Sequence, residues 1–203
     1  RALTFSGWHD SYGPYAPGNY PILAPYRYRC AFCKDKGGCD YTCLDTSFEL
    51  LDAQADRQMA GVITEPLFSA GGVIDLPSGW LKELQTRCHN RGMLLILDEA
   101  QTGLGKLGDM WGSDHEGVIP DIFTISKHFG GGIAISAVIT TEEIENKVSE
   151  TGFVLGHSHS NDPLPCNTAI ASIDIILEQG LVDVAKRIGS YWRGHLQALS
   201  DKY

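Results

Sequence analysis

A chain of 203 residues, 43% hydrophobic and 20% charged, is long enough to bury one large core and too apolar to stay disordered. Its formal charge of −9, with no cluster of Lys and Arg, argues against a surface built to hold nucleic-acid phosphates and favours a small-molecule role. The longest weakly polar run, Gly131 to Thr140, is too short to span a bilayer, and no basic-then-apolar leader opens the chain, so no membrane role is expected.

Arg1 stands first, and Leu3 to Ser6 already reads as a buried strand, so the chain is expected to begin inside a domain as a central fragment of a longer one. Residues 1 to 47 are rich in Tyr, Pro, Gly and Cys without a period of 2 or 3.6, and are expected to be a long loop after that strand. Loops of this length in a domain usually carry function. From Phe48 the pattern becomes regular. It predicts a helix to about Met59, a strand Gly61 to Thr64, a helix from about Gly79 to Arg91, and a strand Leu94 to Leu97. Strands then follow at Ile122 to Ile125 and Ala134 to Ile139. Thr141 opens a helix with Glu142 and Glu143 in its first turn, where acidic groups suit the helix dipole. Helical stretches Pro163 to Glu178 and Leu181 to Leu199 are separated by Gly180. The apolar strands lack alternation, as in a parallel sheet covered on both faces, so the expected fold is an α/β layered one.

Three predicted strands run into a charged residue: Glu65 before Pro66, Asp98 with Glu99-Ala100-Gln101 after it, and Lys127 after Ser126. In open α/β sheets ligands bind beyond the carboxyl ends of the strands, where these side chains would converge. A lysine there can be desolvated into the neutral amine that attacks an aldehyde. A carboxylate on a neighbouring strand end can keep a pyridine nitrogen protonated, which makes the ring a stronger electron sink. Together they suit pyridoxal 5'-phosphate, and Gly130, Gly131 and Gly132 leave backbone room for it. Singly, each has an ordinary alternative, a solvated lysine or a turn-capping aspartate. A P-loop reading fails because Gly105-Lys106 is followed by Leu107 and lies after the acidic strand. A serine-hydrolase elbow fails because Gly156-His157-Ser158-His159-Ser160 lacks the closing glycine.

Three stretches resemble the class III, or omega, aminotransferases of PLP fold type I: Glu65-Pro66 through Gly71-Gly72, Gly92 through Asp98-Glu99-Ala100-Gln101-Thr102-Gly103, and Pro120-Asp121 through Ser126-Lys127. Asn161-Asp162-Pro163-Leu164-Pro165 leans toward the dialkylglycine decarboxylases within that family. The resemblance implies a three-layer fold with a mostly parallel sheet. Residues 1 to 180 would form part of the large cofactor-binding domain, and 181 to 203 a helix leading to a further domain. It also implies that Lys127 holds the cofactor as a Schiff base and carries the proton, while Asp98 partners the pyridine nitrogen. Gln101 would bond the phenolic oxygen, with Glu65 nearby. Ser158 stands where the family has a Thr that reaches the cofactor phosphate of a neighbouring subunit, which implies a homodimer. Trp8, followed by His9, falls where a family aromatic stacks on the pyridine face, although Asp10 replaces the usual Gly. The family's phosphate-binding loop and its substrate-carboxylate arginine have no counterpart in these 203 residues. The implied reaction moves an amino group from an amino acid or amine to an oxo acid, with decarboxylation of a 2,2-dialkylglycine-type substrate as a variant. The other reading is a non-catalytic or zinc-stabilised truncated module.

Six cysteines are present, four of them crowded at Cys30, Cys33, Cys39 and Cys43. Without a secretory leader or an Asn-x-Ser/Thr sequon they read as reduced thiols of an intracellular protein, cytoplasmic or mitochondrial. The short spacing between the two pairs departs from ordinary zinc fingers, so loop packing is favoured over a metal and no metal ligand is assigned.

Overall fold

The computed structural model of the chain describes residues 17–33, 37–55, 59–156 and 158–203. The expected strand Leu3 to Ser6, Trp8 with His9, and His157 lie outside the described residues. Packing divides the chain into two compact units, Arg1–Leu95 and Ile96–Tyr203.

In the first unit a 3-10 turn at Arg27–Arg29 precedes helix α1, Thr42–Gln54. The helix therefore begins six residues before the Phe48 start that periodicity suggested. Its buried positions are Cys43, Leu44, Ser47, Phe48 and Leu51, spaced three to four apart in the manner of one helix face. Cys43 and Ser47 occupy two of them, and neither advertises an apolar stripe. The Asp40 carboxylate starts the helix by accepting from Thr42 N at 3.2 Å and Thr42 Oγ1 at 2.6 Å. Tyr41 donates its hydroxyl to the Ser78 carbonyl at 2.8 Å. At neighbouring Gly79, φ is +79° and a Cβ would lie 2.6 Å from the Tyr41 hydroxyl, so glycine is required on both counts.

Strand β1 is Gly61–Thr64, as expected, and a short antiparallel hairpin follows, with β2 Leu67–Phe68 in register with β3 Ile74–Asp75. Helix α2, Trp80–His89, buries Trp80, Leu81, Leu84 and Cys88. Arg87 of α2 and Arg91 just past its end are tied to α1: Arg87 reaches Asp45 at 2.7 Å and Arg91 reaches Asp52 at 2.9 Å. The Arg91 guanidinium also lies 4.6 Å from the Phe48 ring centroid. Strand β4, Leu94–Asp98, starts in this unit, where Leu94 N donates to the Ala60 carbonyl beside β1.

In the second unit β4 runs parallel to β5, Ile122–Ile125, with Asp98 opposite Thr124. Strand β6, Ala137–Thr140, pairs antiparallel with β5 from Ile122↔Thr140 to Ile125↔Ala137. It starts three residues after Ala134, because the glycine turn reaches further than expected and closes with Ile133 N donating to the Gly130 carbonyl. Burial alternates along β4 and β6, with Leu95 and Leu97 fully buried between less covered neighbours. Thus the uniform apolar composition of β4 conceals two unequal faces, against the expectation of equal cover on both.

Helix α3, Glu142–Glu150, is capped by Thr141 Oγ1 accepting from Ile144 N at 3.3 Å. Helices α4, Pro163–Glu178, and α5, Leu181–Ser200, follow on either side of Gly180, and α4 packs on α5. Pro163 suits the first turn of α4, where its missing N–H has no partner to lose. Loop 104–108 presses on the first turns of α5: at Gly108 a Cβ would sit 3.0 Å from Lys186 Cα. The rest of α5 leaves Tyr191, Trp192, Leu196 and Leu199 exposed.

Candidate active site

The parallel pairing of β4 and β5 puts the carboxyl ends of both strands at one edge of the second unit. Asp98 closes β4, and Lys127 lies two residues past the end of β5. The half-buried Asp98 carboxylate is oriented through one oxygen. Oδ1 accepts from Thr124 Oγ1 at 3.2 Å and from Ala100 N at 3.0 Å, which leaves Oδ2 without a protein partner among the described residues. The turn after β4 carries Gln101, half-buried, toward the same edge.

Lys127 opens a 3-10 turn, Lys127–Gly130, with φ at +55°, a left-handed conformation uncommon for a residue with a Cβ. Its side chain is exposed among the described residues, so the burial expected of a lysine just after an apolar strand is not there. The backbone is nevertheless well fixed. Phe129 N donates to the Ser126 carbonyl, and α4 packs on the turn. His128 Nε2 meets the Gly103 carbonyl at 2.7 Å, tying the lysine turn to the turn that bears Gln101.

Beneath this edge lies a second carboxylate. Glu99 is 1% exposed and points to the opposite face of the strand from Asp98. Oε1 accepts from Ser113 N at 2.9 Å, while Oε2 accepts from Gly112 N at 2.9 Å and from the Thr102 hydroxyl. Its lone pairs are engaged by buried donors, as a carboxyl group in the interior requires. It holds the 99–103 turn to the 3-10 segment Gly112–Glu116. The ring of Trp111, just before that segment, rests on Phe123 of β5 with centroids 4.9 Å apart.

Asp98, Gln101 and Lys127 are therefore brought together at one sheet edge. Ser158 is exposed in the turn before α4, where His159 Nδ1 pairs with Asp162 Oδ2 at 2.7 Å. Glu65 follows β1 in the first unit, half-buried, with Ser69 Oγ donating to its Oε2 at 3.2 Å. Trp8 lies outside the described residues. Sequence reading missed Thr124, His128 and Glu99 as supporting groups. Thr124 could have been found from the register of adjacent strands, whereas the other two act across turns and have no spacing that announces them.

The donor set fits pyridoxal 5'-phosphate. It offers an amine on a fixed turn, a carboxylate with one uncommitted oxygen for a pyridinium N–H, and an amide at Gln101 for a phenolic oxygen.

The sequence matches the family Aminotransferase class-III over residues 2–203. It is 43% identical over 203 residues to an uncharacterized aminotransferase of Schizosaccharomyces pombe, covering all of this chain and 45% of that one. Among solved structures, an amine transaminase from an uncultivated Pseudomonas species in its PLP-bound form is similar, with a TM-score of 0.89 and 29% identity. That likeness covers 97% of this chain and 46% of that chain. An (S)-enantioselective omega-transaminase from Thermomicrobium roseum is similar with a TM-score of 0.84 and 30% identity, covering 96% of this chain and 44% of that chain. The chain thus spans about half the length of the proteins it resembles.

Proposed function

The chain belongs to the class III aminotransferase family, and from that premise we propose that it carries the cofactor-bearing centre of a transaminase that moves an amino group from an amino acid or amine to an oxo acid. The observation that carries the reading is the pairing of parallel strands that puts Asp98 and Lys127 at one edge, with Asp98 Oδ2 uncommitted. Pyridoxal 5'-phosphate, the cofactor of this family, supplies an electron sink when bound.

Lys127 Nζ would hold the cofactor through its aldehyde and would move a proton at the substrate carbon. Asp98 Oδ2 would accept a hydrogen bond from the pyridinium N–H and keep the ring protonated, while Thr124 and the Ala100 N–H hold the carboxylate in place through Oδ1. Gln101 donates to the phenolic oxygen. By the family resemblance Glu65 and Trp8 are further cofactor residues, and Ser158 would donate to the cofactor phosphate of a second copy in a homodimer. The partners are small molecules, an amino donor and an oxo acid acceptor.

Decarboxylation of a 2,2-dialkylglycine-type substrate is the narrower reading, and Asn161-Asp162-Pro163-Leu164-Pro165 is the stretch that favours it. The transaminase relatives favour plain amino transfer.

The test is to add pyridoxal 5'-phosphate to the chain, reduce with borohydride and map the labelled peptide. Label on Lys127, absent in Lys127→Ala, is expected, together with loss of the visible absorbance of the bound cofactor in that variant. Asp98→Asn should retain the label and shift the absorbance. Label on Lys106 or on no lysine would overturn the reading.

A further inference from the structure

Away from the sheet edge, the loop before α1 encloses a cavity of about 220 Å³ lined by Cys30, Cys33, Cys39 and Cys43, together with Arg27 and Pro77. All four thiols are unpaired, Cys30 and Cys43 buried and Cys33 and Cys39 half-buried. Among the described residues no group of three or more His, Cys, Asp or Glu side chains is placed to hold a metal ion. The thiols differ sharply in setting. Cys30 and Cys33 are separated by two residues of a turn and line the same cavity. Cys33 Sγ donates to Asp40 Oδ1 at 3.2 Å, and Asp40 is held by Thr42.

We propose that Cys30 and Cys33 form a peroxide-reactive dithiol, in which Cys30 is the attacking sulfur, Cys33 the resolving sulfur and Asp40 the acceptor that orients the Cys33 proton. The geometry favours these roles. Cys30 sits in a cavity that admits a molecule the size of hydrogen peroxide, and Arg27 also lines it, a cationic residue that suits a departing hydroxide. Burial raises the Cys30 thiol, but the Phe32 and Cys33 N–H groups and the Cys33 thiol outweigh it and draw it below the ordinary value of 9.0. For Cys33, a backbone contact at Asp40 lowers the thiol. Burial, the Asp40 carboxylate and Cys30 outweigh it and push Cys33 up to about 12, so it holds its proton until Cys30 has reacted. Burial likewise raises Cys43.

The chemistry balances in two steps. The Cys30 thiolate attacks one oxygen of hydrogen peroxide: an S–O bond forms, the O–O bond breaks, and hydroxide leaves and is protonated to water. Sulfur loses two electrons and the peroxide gains them, leaving a sulfenic acid. The Cys33 sulfur then attacks the Cys30 sulfur. An S–S bond forms, the S–O bond breaks, and the hydroxyl leaves as a second water with the proton Cys33 had directed at Asp40.

The test treats the full 203-residue chain with hydrogen peroxide, blocks remaining thiols and maps tryptic peptides. Cys30 and Cys33 fall together in the peptide Cys30 to Lys34, while Cys39 and Cys43 fall in another. Expected first is loss of two hydrogens within the Cys30 peptide, at least about tenfold faster than any change at Cys39 or Cys43. Cys33→Ser should leave a dimedone-trappable sulfenic acid at Cys30, and Asp40→Asn should let that species accumulate. First oxidation at Cys39 or Cys43, a link from Cys30 to either of them, or no reaction would overturn the proposal. One tightly held zinc that shields all four thiols would overturn it as well. The wild-type map decides the matter even where a variant fails to fold.

Discussion

Glu99 shows how a single residue can be essential to a site without facing it. It adjoins Asp98, yet strand alternation sends the two carboxylates to opposite faces. One is left with an uncommitted oxygen, while the other is surrounded by Gly112 N, Ser113 N and the Thr102 hydroxyl. Removing a buried, fully bonded carboxylate strands its donors, which costs more than the bonds themselves contribute. Glu99→Ala is expected to lower unfolding free energy by about 3–5 kcal/mol, the range for breaking a buried charged network, as measured by urea denaturation. Glu99→Gln, which keeps the shape and one acceptor, should lose less. If the two variants are equally stable as the parent, the network is ornamental to the fold and the account of Glu99 fails. His128 works on the same scale. Its bond to Gly103 links two turns 25 residues apart, which is why the lysine turn keeps its place although the lysine side chain is exposed.

Among the elements, the approach of loop 104–108 to α5 is a close packing in the second unit that rests on a missing side chain and meets helix backbone. Gly108 has φ at +91°, and a Cβ there would stand 3.0 Å from both Cα and Cβ of Lys186. Gly108→Ala therefore combines a left-handed backbone cost of about 1–2 kcal/mol with a push against helix backbone that has no flexible end to yield. The expected result is a lower melting temperature and faster amide exchange over residues 181–186; exchange unchanged there would mean that α5 does not depend on this contact. Elements of this kind differ in how far they could be read in advance. β1, β5 and α4 have the bounds that periodicity, flanking turns and Pro163 indicate. The beginning of α1 was not legible, since two of its buried positions are Cys43 and Ser47 and its starting cap comes from Asp40 through Tyr41, a left-handed residue. The β2–β3 hairpin was not legible either, because strands of two residues hold a single period of alternation and so show no repeat. The placement of Asp98 and Lys127 at the ends of β4 and β5 was readable because a charge at the end of an apolar run is a local signal. Glu99 and His128 were not, because each acts on a group 13 or more residues away, whereas Thr124 follows once the register of β4 and β5 is known.

At the level of the whole molecule, stability is a small remainder of large opposing terms, about 5–15 kcal/mol for a typical domain. One left-handed lysine is a measurable share of it. Lys127 at φ +55° bears about 1–2 kcal/mol of backbone cost that Gly would not, against about 0.5–1 kcal/mol for glycine's extra freedom when unfolded. Lys127→Gly is thus expected to be more stable than Lys127→Ala by about 1 kcal/mol and no less stable than the parent, as read by thermal unfolding without cofactor, while both variants lose the amine. A glycine variant that melts below the alanine one would show that the turn is not held left-handed. The position is under opposed pressures: folding prefers a residue without a side chain, and the proposed chemistry needs one with an amine at its tip. A duplicate of this chain released from catalytic duty is therefore expected to drift first at residue 127, gaining stability as it loses its reaction.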